Sequence, residues 1–197
     1  MSDIDYNNSI KIIILGEIYT GKTNLINSYF DIPFDVSSAA TLTSHLSQKV
    51  VQINNKTYTI NMWDTAGQEK YRSITKLFIN GSNIVILVYD ITREETFKEL
   101  PFWYETATNI LGDDIIFGVC GNKIDLFWEQ KIEKAKGIEF AESKGAFFTE
   151  TSSKDDPKAF QKFVDKLIEK FLTKNGIINN IGEKLSPKRK KKGKCFC

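Results

Sequence analysis

The stretch "IKIIILGEIYTGKT" (Ile10–Thr23) decides the fold, because it joins an apolar run to a loop bounded by glycines. Apart from Lys11, the run Ile10–Leu15 is apolar and mostly β-branched, which is typical of a buried parallel strand. The loop Gly16–Thr23 has the spacing G-x-x-x-x-G-K-[ST], in which backbone N–H groups surround a phosphate. The following "KTNLINSYF" predicts a helix whose N-terminus adds partial positive charge. The alternative is a strand–turn–helix link with incidental glycines.

Within this loop the chemistry of the individual residues predicts a nucleotide site. Lys22 is expected to reach the β- and γ-phosphates, and the Thr23 hydroxyl is expected to bind Mg²⁺. The middle of the loop, residues 17–20, contains no glycine. We predict nucleotide contacts from Tyr19, Thr20, Gly21, Lys22, Thr23 and Asn24.

The composition indicates one globular domain followed by a basic tail. The chain has 197 residues, of which 41% are hydrophobic and 26% charged. From Glu183 onward seven Lys or Arg face a single Glu, a net +6 out of a whole-chain +2, which leaves about −4 for residues 1–182. An acidic body argues against a nucleic-acid-binding face. We place the folded domain at residues 1–175 and a disordered basic tail at 176–197.

Three further features favour a cytoplasmic protein. No run of eighteen apolar residues is present, so no membrane span is expected. The polar N-terminal residues do not resemble a signal peptide. Three cysteines, two of them at the C-terminus, do not make a disulfide framework. We assign Cys120, in an apolar run, to packing.

Alternating apolar runs and helical segments predict an α/β fold. The runs Ile84–Asp90 and Ile115–Asn122 read as buried strands, and Asn54-Asn55 is a two-residue hairpin signal. Pro101 should kink or restart the helix that contains it, and residues 157–174 predict the last helix. We expect a mostly parallel six-stranded sheet with one antiparallel edge hairpin and helices on both faces.

Three more motifs, each after a predicted strand, point to a guanine nucleotide. In "DTAG" (Asp64–Gly67), Asp64 is expected to hold Mg²⁺ and the Gly67 N–H to contact a γ-phosphate. In "GNKID" (Gly121–Asp125), Asp125 accepts two hydrogen bonds from guanine, whereas adenine would leave the carboxylate unpaired. The remaining base contacts are expected from Asn122, Lys123 and, in "ETSSK", Ser152, Ser153 and Lys154.

With these four motifs in order, the chain resembles the Rab family of small GTPases within the Ras superfamily. The segment "WDTAGQEKYRSIT" (Trp63–Thr75) is similar to the Rab switch II signature, and "VYDIT" and "GNKIDL" also match. The resemblance implies a GTP/GDP switch that hydrolyses GTP with Mg²⁺. It implies that Thr41, nineteen residues after Lys22, ligates Mg²⁺ and that Phe34 packs on the guanine. It also implies that Gln68 orients the attacking water, and Gln68 and Lys22 are the expected catalytic residues.

Several residues depart from the family pattern. Switch I reads "TLTSHL" (Thr41–Leu46), so the effector-facing surface is unusual. Trp63 and Phe78 fit two positions of the Rab hydrophobic triad, but the third holds Leu46 where an aromatic residue is usual. Ile18 stands near the expected γ-phosphate and Gln68, and Tyr19 is unusually large for its position. We therefore expect slow hydrolysis. The alternatives are a hydrolysis-deficient, nucleotide-holding scaffold at a membrane and, with less support, a metabolic P-loop kinase.

The C-terminal sequence "SPKRKKKGKCFC" predicts a membrane anchor. A basic cluster alone also fits nuclear import, a nucleic-acid patch or a solvated run. Cys-x-Cys at the terminus resembles the doubly geranylgeranylated Rab ending, with Cys195 and Cys197 as the lipidated residues, and two chains anchor stably. We expect a monomer in the cytoplasm, reversibly anchored to membranes in vesicle traffic, with an exchange factor, a GAP, escort or GDI proteins and effectors as partners.

Overall fold

A computed structural model describes residues 8–35, 41, 44–65, 72–177 and 186–187, with backbone alone at 72–75 and 186–187. The strands are β1 (Ser9–Leu15), β2 (His45–Ile53), β3 (Lys56–Asp64), β4 (Ile84–Asp90), β5 (Ile116–Asn122), β6 (Phe147–Thr151) and β7 (Ser186–Pro187). The helices are α1 (Lys22–Tyr29), α2 (Arg72–Ile79), α3 (Glu94–Lys98), α4 (Leu100–Leu111), α5 (Lys134–Ser143) and α6 (Pro157–Lys174), with a 3₁₀ segment at Ile124–Glu129.

The strands form one mixed sheet in the order β6-β5-β4-β1-β3-β2-β7. Strands β6, β5, β4, β1 and β3 are parallel, and β2 pairs antiparallel with β3. Asn54 and Asn55 have φ of 48° and 60°, as a two-residue hairpin turn of the primed type requires. The predicted six-stranded sheet with an edge hairpin is confirmed. The two-residue β7, antiparallel to β2, was not predicted.

Apolar residues fill both faces of the sheet. In β1, Ile12 and Ile14 join the cluster that contains Leu25 of α1 and Phe160 of α6. Their neighbours in β1 join the opposite cluster, with residues of α2, α4 and α5. Every residue of β4 and β5 is buried. Helices therefore cover both faces, which explains why these strands are continuous apolar runs.

Pro101 separates two helices, as the sequence predicts. Helix α3 ends at Lys98, Glu99 caps it, and Pro101 lies in the first turn of α4. Proline suits a first turn because its missing N–H would have no partner there. The restart places Trp103 and Leu100 against the sheet, where both are buried.

The parallel strands direct four loops to one edge. The segments after β1, β3, β5 and β6 all begin at carboxyl ends of strands, where open α/β sheets bind their ligands. All four sequence motifs lie on these segments. The fold thus brings together residues that are more than 130 positions apart in the sequence.

Helix α6 carries a partly buried carboxylate, Asp165, on its inner side. The Tyr29 hydroxyl of α1 donates a hydrogen bond to it. Burial raises the pKa of Asp165 to about 6, and Glu169 acts in the same direction, while Lys49 of β2 and the Tyr29 bond oppose the shift. The folded state therefore binds more protons than the unfolded state between about pH 4 and 6, so this group's contribution to stability falls as pH rises through that range.

Asp165→Asn should consequently stabilise the protein at neutral pH but not in acid. We expect the melting temperature to rise by roughly 2–4 °C at pH 7.5, with the gain disappearing below about pH 4. Glu139→Gln, which removes an exposed carboxylate from α5, is the control and should give no such pH-dependent difference. A gain of equal size at both pH values would contradict the assigned titration.

Candidate functional site

The loop Gly16–Thr23 folds around the ammonium group of Lys22. This side chain is buried, and its Nζ donates to the carbonyl oxygens of Gly16 and Glu17, each at 2.9 Å. Burial lowers the pKa of Lys22 to about 8, although the carboxylates of Asp64 and Glu17 favour its charged form. A buried cation at the N-terminus of α1 makes this loop suited to an anionic ligand.

Residues outside the loop hold its unusual middle section. Arg93 Nη1 donates to the Ile18 carbonyl at 3.0 Å, and Trp103 Nε1 donates to Glu17 Oε1 at 3.3 Å. Tyr19 has a left-handed backbone with φ of 63°, and its side chain is 59% exposed at the cavity rim. The backbone that carries Ile18 and Tyr19 is therefore fixed by contacts from the β4–α3 connection and α4.

Gly21 is required by both conformation and space. Its φ of 90° is left-handed, and a Cβ at this position would collide with the Asn122 amide nitrogen. That amide donates to the Thr20 carbonyl at 2.8 Å and accepts from the Ser153 N–H at 3.2 Å. Asn122, predicted as a base contact, thus links three loops from behind the cavity.

Two hydroxyls and a carboxylate meet beside Lys22. Thr23 Oγ1 lies 2.7 Å from Asp64 Oδ2 and 2.9 Å from Thr41 Oγ1, and Thr41 Oγ1 lies 3.4 Å from the same Asp64 oxygen. Burial raises the pKa of Asp64, against the opposing effects of Thr23, Lys22 and Thr41. Asp64 Oδ1 is buried and has no hydrogen-bond partner within the described residues.

This donor set fits Mg²⁺. All three groups are hard oxygen donors, which Mg²⁺ prefers, and Asp64 Oδ1 offers a further acceptor for a metal-bound water. The described part of the chain contains no group of three His, Cys, Asp or Glu that would hold a metal alone. The hydroxyl-rich set therefore needs phosphate oxygens or waters to complete a coordination shell.

At the other end of the site, Asp125 faces the cavity with its carboxylate oriented by a neighbour. Ser152 Oγ donates to Asp125 Oδ1 at 2.6 Å and accepts the N–H of Asp155 at 2.9 Å. Lys123 has φ of 72° and pairs with the buried Asp90 carboxylate at 2.7 Å. This ion pair fixes the Lys123 stem along the cavity wall.

One cavity of about 270 Å³ connects the two ends of the site. Most of the predicted nucleotide contacts face it, whereas Thr20, Asp64, Asn122 and Ser152 are buried and do not line it. Phe34, 37% exposed, stands at its rim. The predicted residues that line the cavity are Tyr19, Gly21, Lys22, Thr23, Asn24, Phe34, Thr41, Lys123, Asp125, Ser153 and Lys154.

Comparison with known proteins identifies the family. The Ras family profile matches residues 11–173. Human Ras-related protein Rab-30 is 34% identical over 188 residues, covering 94% of this chain and 92% of that protein. Ras-related protein Rab-2B of Dictyostelium discoideum is 33% identical over 180 residues, with 90% and 89% coverage. Ras-related protein Rab11A of Lotus japonicus is 33% identical over 166 residues, with 84% and 73% coverage.

The chain belongs to the Ras family. It is a Rab-like small GTPase, which binds guanine nucleotides and hydrolyses GTP to GDP and phosphate. No helix in the described ranges is long and apolar enough to cross a bilayer.

Four predicted residues of this small GTPase lie outside the described residues: Gly67, Gln68, Cys195 and Cys197. The hydrophobic-triad positions are described. Trp63 and Phe78 have ring centroids 5.1 Å apart, and Leu46 pairs with Trp63 in the β2–β3 register. His45 is exposed and pairs in register with Asp64 at the end of β3.

Sequence reasoning missed three contacts that shape the site. Arg93 and Trp103 brace the loop, and no local pattern marks them because each partner lies at least 75 positions away. Asn24 was predicted as a nucleotide contact. Its side-chain amide also forms two bonds with the Asp35 backbone, at 3.0 and 3.2 Å.

Proposed function

We propose that this small GTPase is a Rab-type switch in membrane traffic whose GTP- and GDP-bound forms differ in the segment that carries Thr41. The observation that carries the proposal is the meeting of Thr23, Thr41 and Asp64. These side chains come from α1, from the segment before β2 and from the end of β3. Loss of the γ-phosphate would thereby affect the segment before β2 and the end of β3, which are the two places where partner proteins would bind.

The nucleotide would lie along the cavity, with its phosphates in the Gly16–Thr23 loop. Lys22 and the N–H groups of residues 19–24 would bind the phosphates, and Thr23, Thr41 and Asp64 would hold Mg²⁺. When bound, Mg²⁺ supplies positive charge that neutralises the phosphates. Gly67 and Gln68 are proposed, from their place in the family motif, to contact the γ-phosphate and orient water.

At the base end, Asp125 would accept hydrogen bonds from guanine. The Ser152 hydroxyl holds the carboxylate in place, which supports this role. The stem of Lys123 and the ring of Phe34 would border the purine, and the segment Ser152–Lys154 would lie near its O6. Asn122 would contribute indirectly, by holding the loops together.

Asp125→Asn should shift selectivity from guanine toward xanthine nucleotides, because xanthine carries an acceptor where guanine carries an amine. A competition assay between GDP and XDP measures the shift, which we expect to be about 10³-fold or more. Asp155→Asn, which makes the same change at an exposed aspartate in the neighbouring loop between β6 and α6, is the control. Selectivity for GDP that survives Asp125→Asn would refute the base-pocket assignment.

Slow hydrolysis is the second element of the proposal. Ile18 is β-branched and has few rotamers, and Arg93 holds its carbonyl in place. We propose that Ile18 displaces Gln68 from the hydrolytic water. A nucleotide-holding scaffold at a membrane is the alternative function favoured by the same residue.

Single-turnover GTP hydrolysis tests this arrangement. We expect a slow wild-type rate, little change in Gln68→Leu, and a higher rate in Ile18→Ser, because the serine leaves room for Gln68. GDP affinity serves as the control for each variant. A fast wild-type reaction that falls sharply in Gln68→Leu would show that Gln68 orients the water as in a conventional small GTPase, and would refute the proposed displacement. No turnover in any variant would favour the scaffold.

The tail is proposed to anchor the protein to the cytosolic face of membranes through geranylgeranyl groups on Cys195 and Cys197. Two lipid chains give stable binding, and the basic residues add roughly 1 kcal/mol each near an anionic leaflet. An escort or GDI protein would then be needed to carry the lipidated form through the cytoplasm. Exchange factors, GAPs and effectors are further expected partners, and the protein itself is expected to be a monomer.

Replacing both Cys195 and Cys197 by Ser should move the protein from membranes to cytosol while leaving GTP binding intact. Cell fractionation gives the distribution, and Cys120→Ser provides the matched control because that thiol is buried in β5. Persistence of the double variant on membranes would place the anchor elsewhere in the chain.

A further inference from the structure

The segment that carries Phe34 is pinned at both ends. We call residues 31–35 the strap. Its upstream end is the C-terminus of α1, where Ile32 N–H bonds to Asn27 O at 2.9 Å and Asp31 N–H to Ser28 O at 3.3 Å. This is the Schellman pattern, which usually places glycine where Asp31 stands with φ of 59°. An L-residue in this conformation costs free energy, so its side-chain contacts matter.

The Asp31 carboxylate is held by side chains from two other elements. Gln161 Nε2 of α6 donates to Asp31 Oδ1 at 2.9 Å and also to the Ser28 carbonyl. Lys49 Nζ of β2 lies 3.4 Å from Asp31 Oδ2 and donates to the Tyr29 carbonyl at 3.0 Å. Together these bonds fix both the end of α1 and the start of the strap.

The downstream end of the strap is fixed by the Asn24 amide, which bonds to both the N–H and the carbonyl of Asp35. Only Ile32, Pro33 and Phe34 lie between the two fixed points, and proline restricts φ. Ile32 is 50% exposed, so apolar burial does little to position the strap. The polar contacts of Asp31 and Asp35, at the two ends of the strap, must therefore determine where the Phe34 ring stands at the cavity rim.

We propose that Gln161 and Lys49, acting through Asp31, are positioning residues that set the rate at which the nucleotide dissociates. Neither side chain lines the cavity. The inference rests on the proposed nucleotide site, in which Phe34 borders the purine. When the bonds of Gln161 and Lys49 to Asp31 are removed, the strap can move away from the cavity. The bound nucleotide then loses its contact with Phe34 at the base end, while its phosphate contacts remain.

The test is the dissociation rate of a fluorescent GDP, chased with excess GDP from the full-length protein. Gln161→Leu keeps the side-chain size and removes the donor, and we expect dissociation to accelerate about three- to tenfold. Gln48→Leu is the matched control, because Gln48 stands beside Lys49 in β2 but bonds only to Asn61 among the described residues. Lys49→Met is the second variant and should act in the same direction.

Action through Phe34 is tested by combining variants. In a Phe34→Ala background, Gln161→Leu should add nothing to the rate, because the group it positions is already gone. In the Gln161→Leu and Lys49→Met single variants, the rate of nucleotide association and the single-turnover hydrolysis of bound GTP should stay at wild-type values. A general loss of folding would lower both. A charge reversal at the same contact provides a rescue experiment. Gln161→Glu places a like charge opposite Asp31 and should speed nucleotide release more than Gln161→Leu does. Adding Asp31→Asn to Gln161→Glu removes the repulsion and should reverse part of that increase.

Equal rates in Gln161→Leu, Lys49→Met and Gln48→Leu would overturn the inference, as would an undiminished effect of Gln161→Leu in the Phe34→Ala background. The proposed function fails separately. A wild-type protein that does not retain GDP overturns both, whereas tight GDP binding with unchanged rates in the variants overturns only the role of the pin.

Discussion

The side-chain amide of Asn122 holds together the loops on which the nucleotide cavity depends. It is fully buried at the end of β5, and its two polar ends bond to the Thr20 carbonyl and the Ser153 N–H. A buried amide without partners costs about 1–3 kcal/mol, so each loop is bound to the position that satisfies it. Gly21 follows from the same constraint, because only glycine leaves room for the amide.

The bracing of the phosphate loop explains how the loop tolerates residues 17–20 without a glycine. A phosphate-binding loop has to turn tightly, and at Tyr19 this one does so with a left-handed backbone that an L-residue rarely adopts. The surrounding structure must over-determine such a conformation. Arg93 bonds to the carbonyl just before Tyr19, and Asn122 to the carbonyl just after it. Hydrogen bonds on both sides thus stabilise the left-handed backbone of Tyr19, and its large ring projects outward at the cavity rim.

The sequence predicts the parts of this protein that depend on local pattern. The buried strands, the Asn54-Asn55 turn, the break at Pro101 and the four loop motifs all follow from periodicity or from residue chemistry at short spacing. Because carboxyl ends of parallel strands share an edge, the meeting of these motifs at one edge of the sheet was also predictable. Asp125 and Thr23 face the nucleotide cavity as expected.

What the sequence could not predict are polar contacts between distant elements. Trp103 and Glu17 are 86 positions apart, Asn122 and Thr20 are 102 apart, and Gln161 and Asp31 are 130 apart. Each depends on the register of packed elements to within about an ångström, and residue type alone does not encode it. Asn122 shows the consequence: its motif predicts a base contact, yet its amide is occupied by two backbone groups.

These distant contacts divide the segment between α1 and β2 into two parts with different dependencies. Its start is tied to Asn24 of α1 and to Lys49 and Gln161, and of these three residues only Asn24 lines the nucleotide cavity. Its later part is tied through Thr41 to Thr23 and Asp64, the oxygen donors beside Lys22. Loss of the γ-phosphate would remove the interaction proposed to hold Thr41 at the phosphates, but it would leave the hydrogen bonds at both ends of the strap in place. The same segment can thus report the phosphate state at one end while retaining the nucleotide at the other, which is what a switch that must hold both GTP and GDP requires.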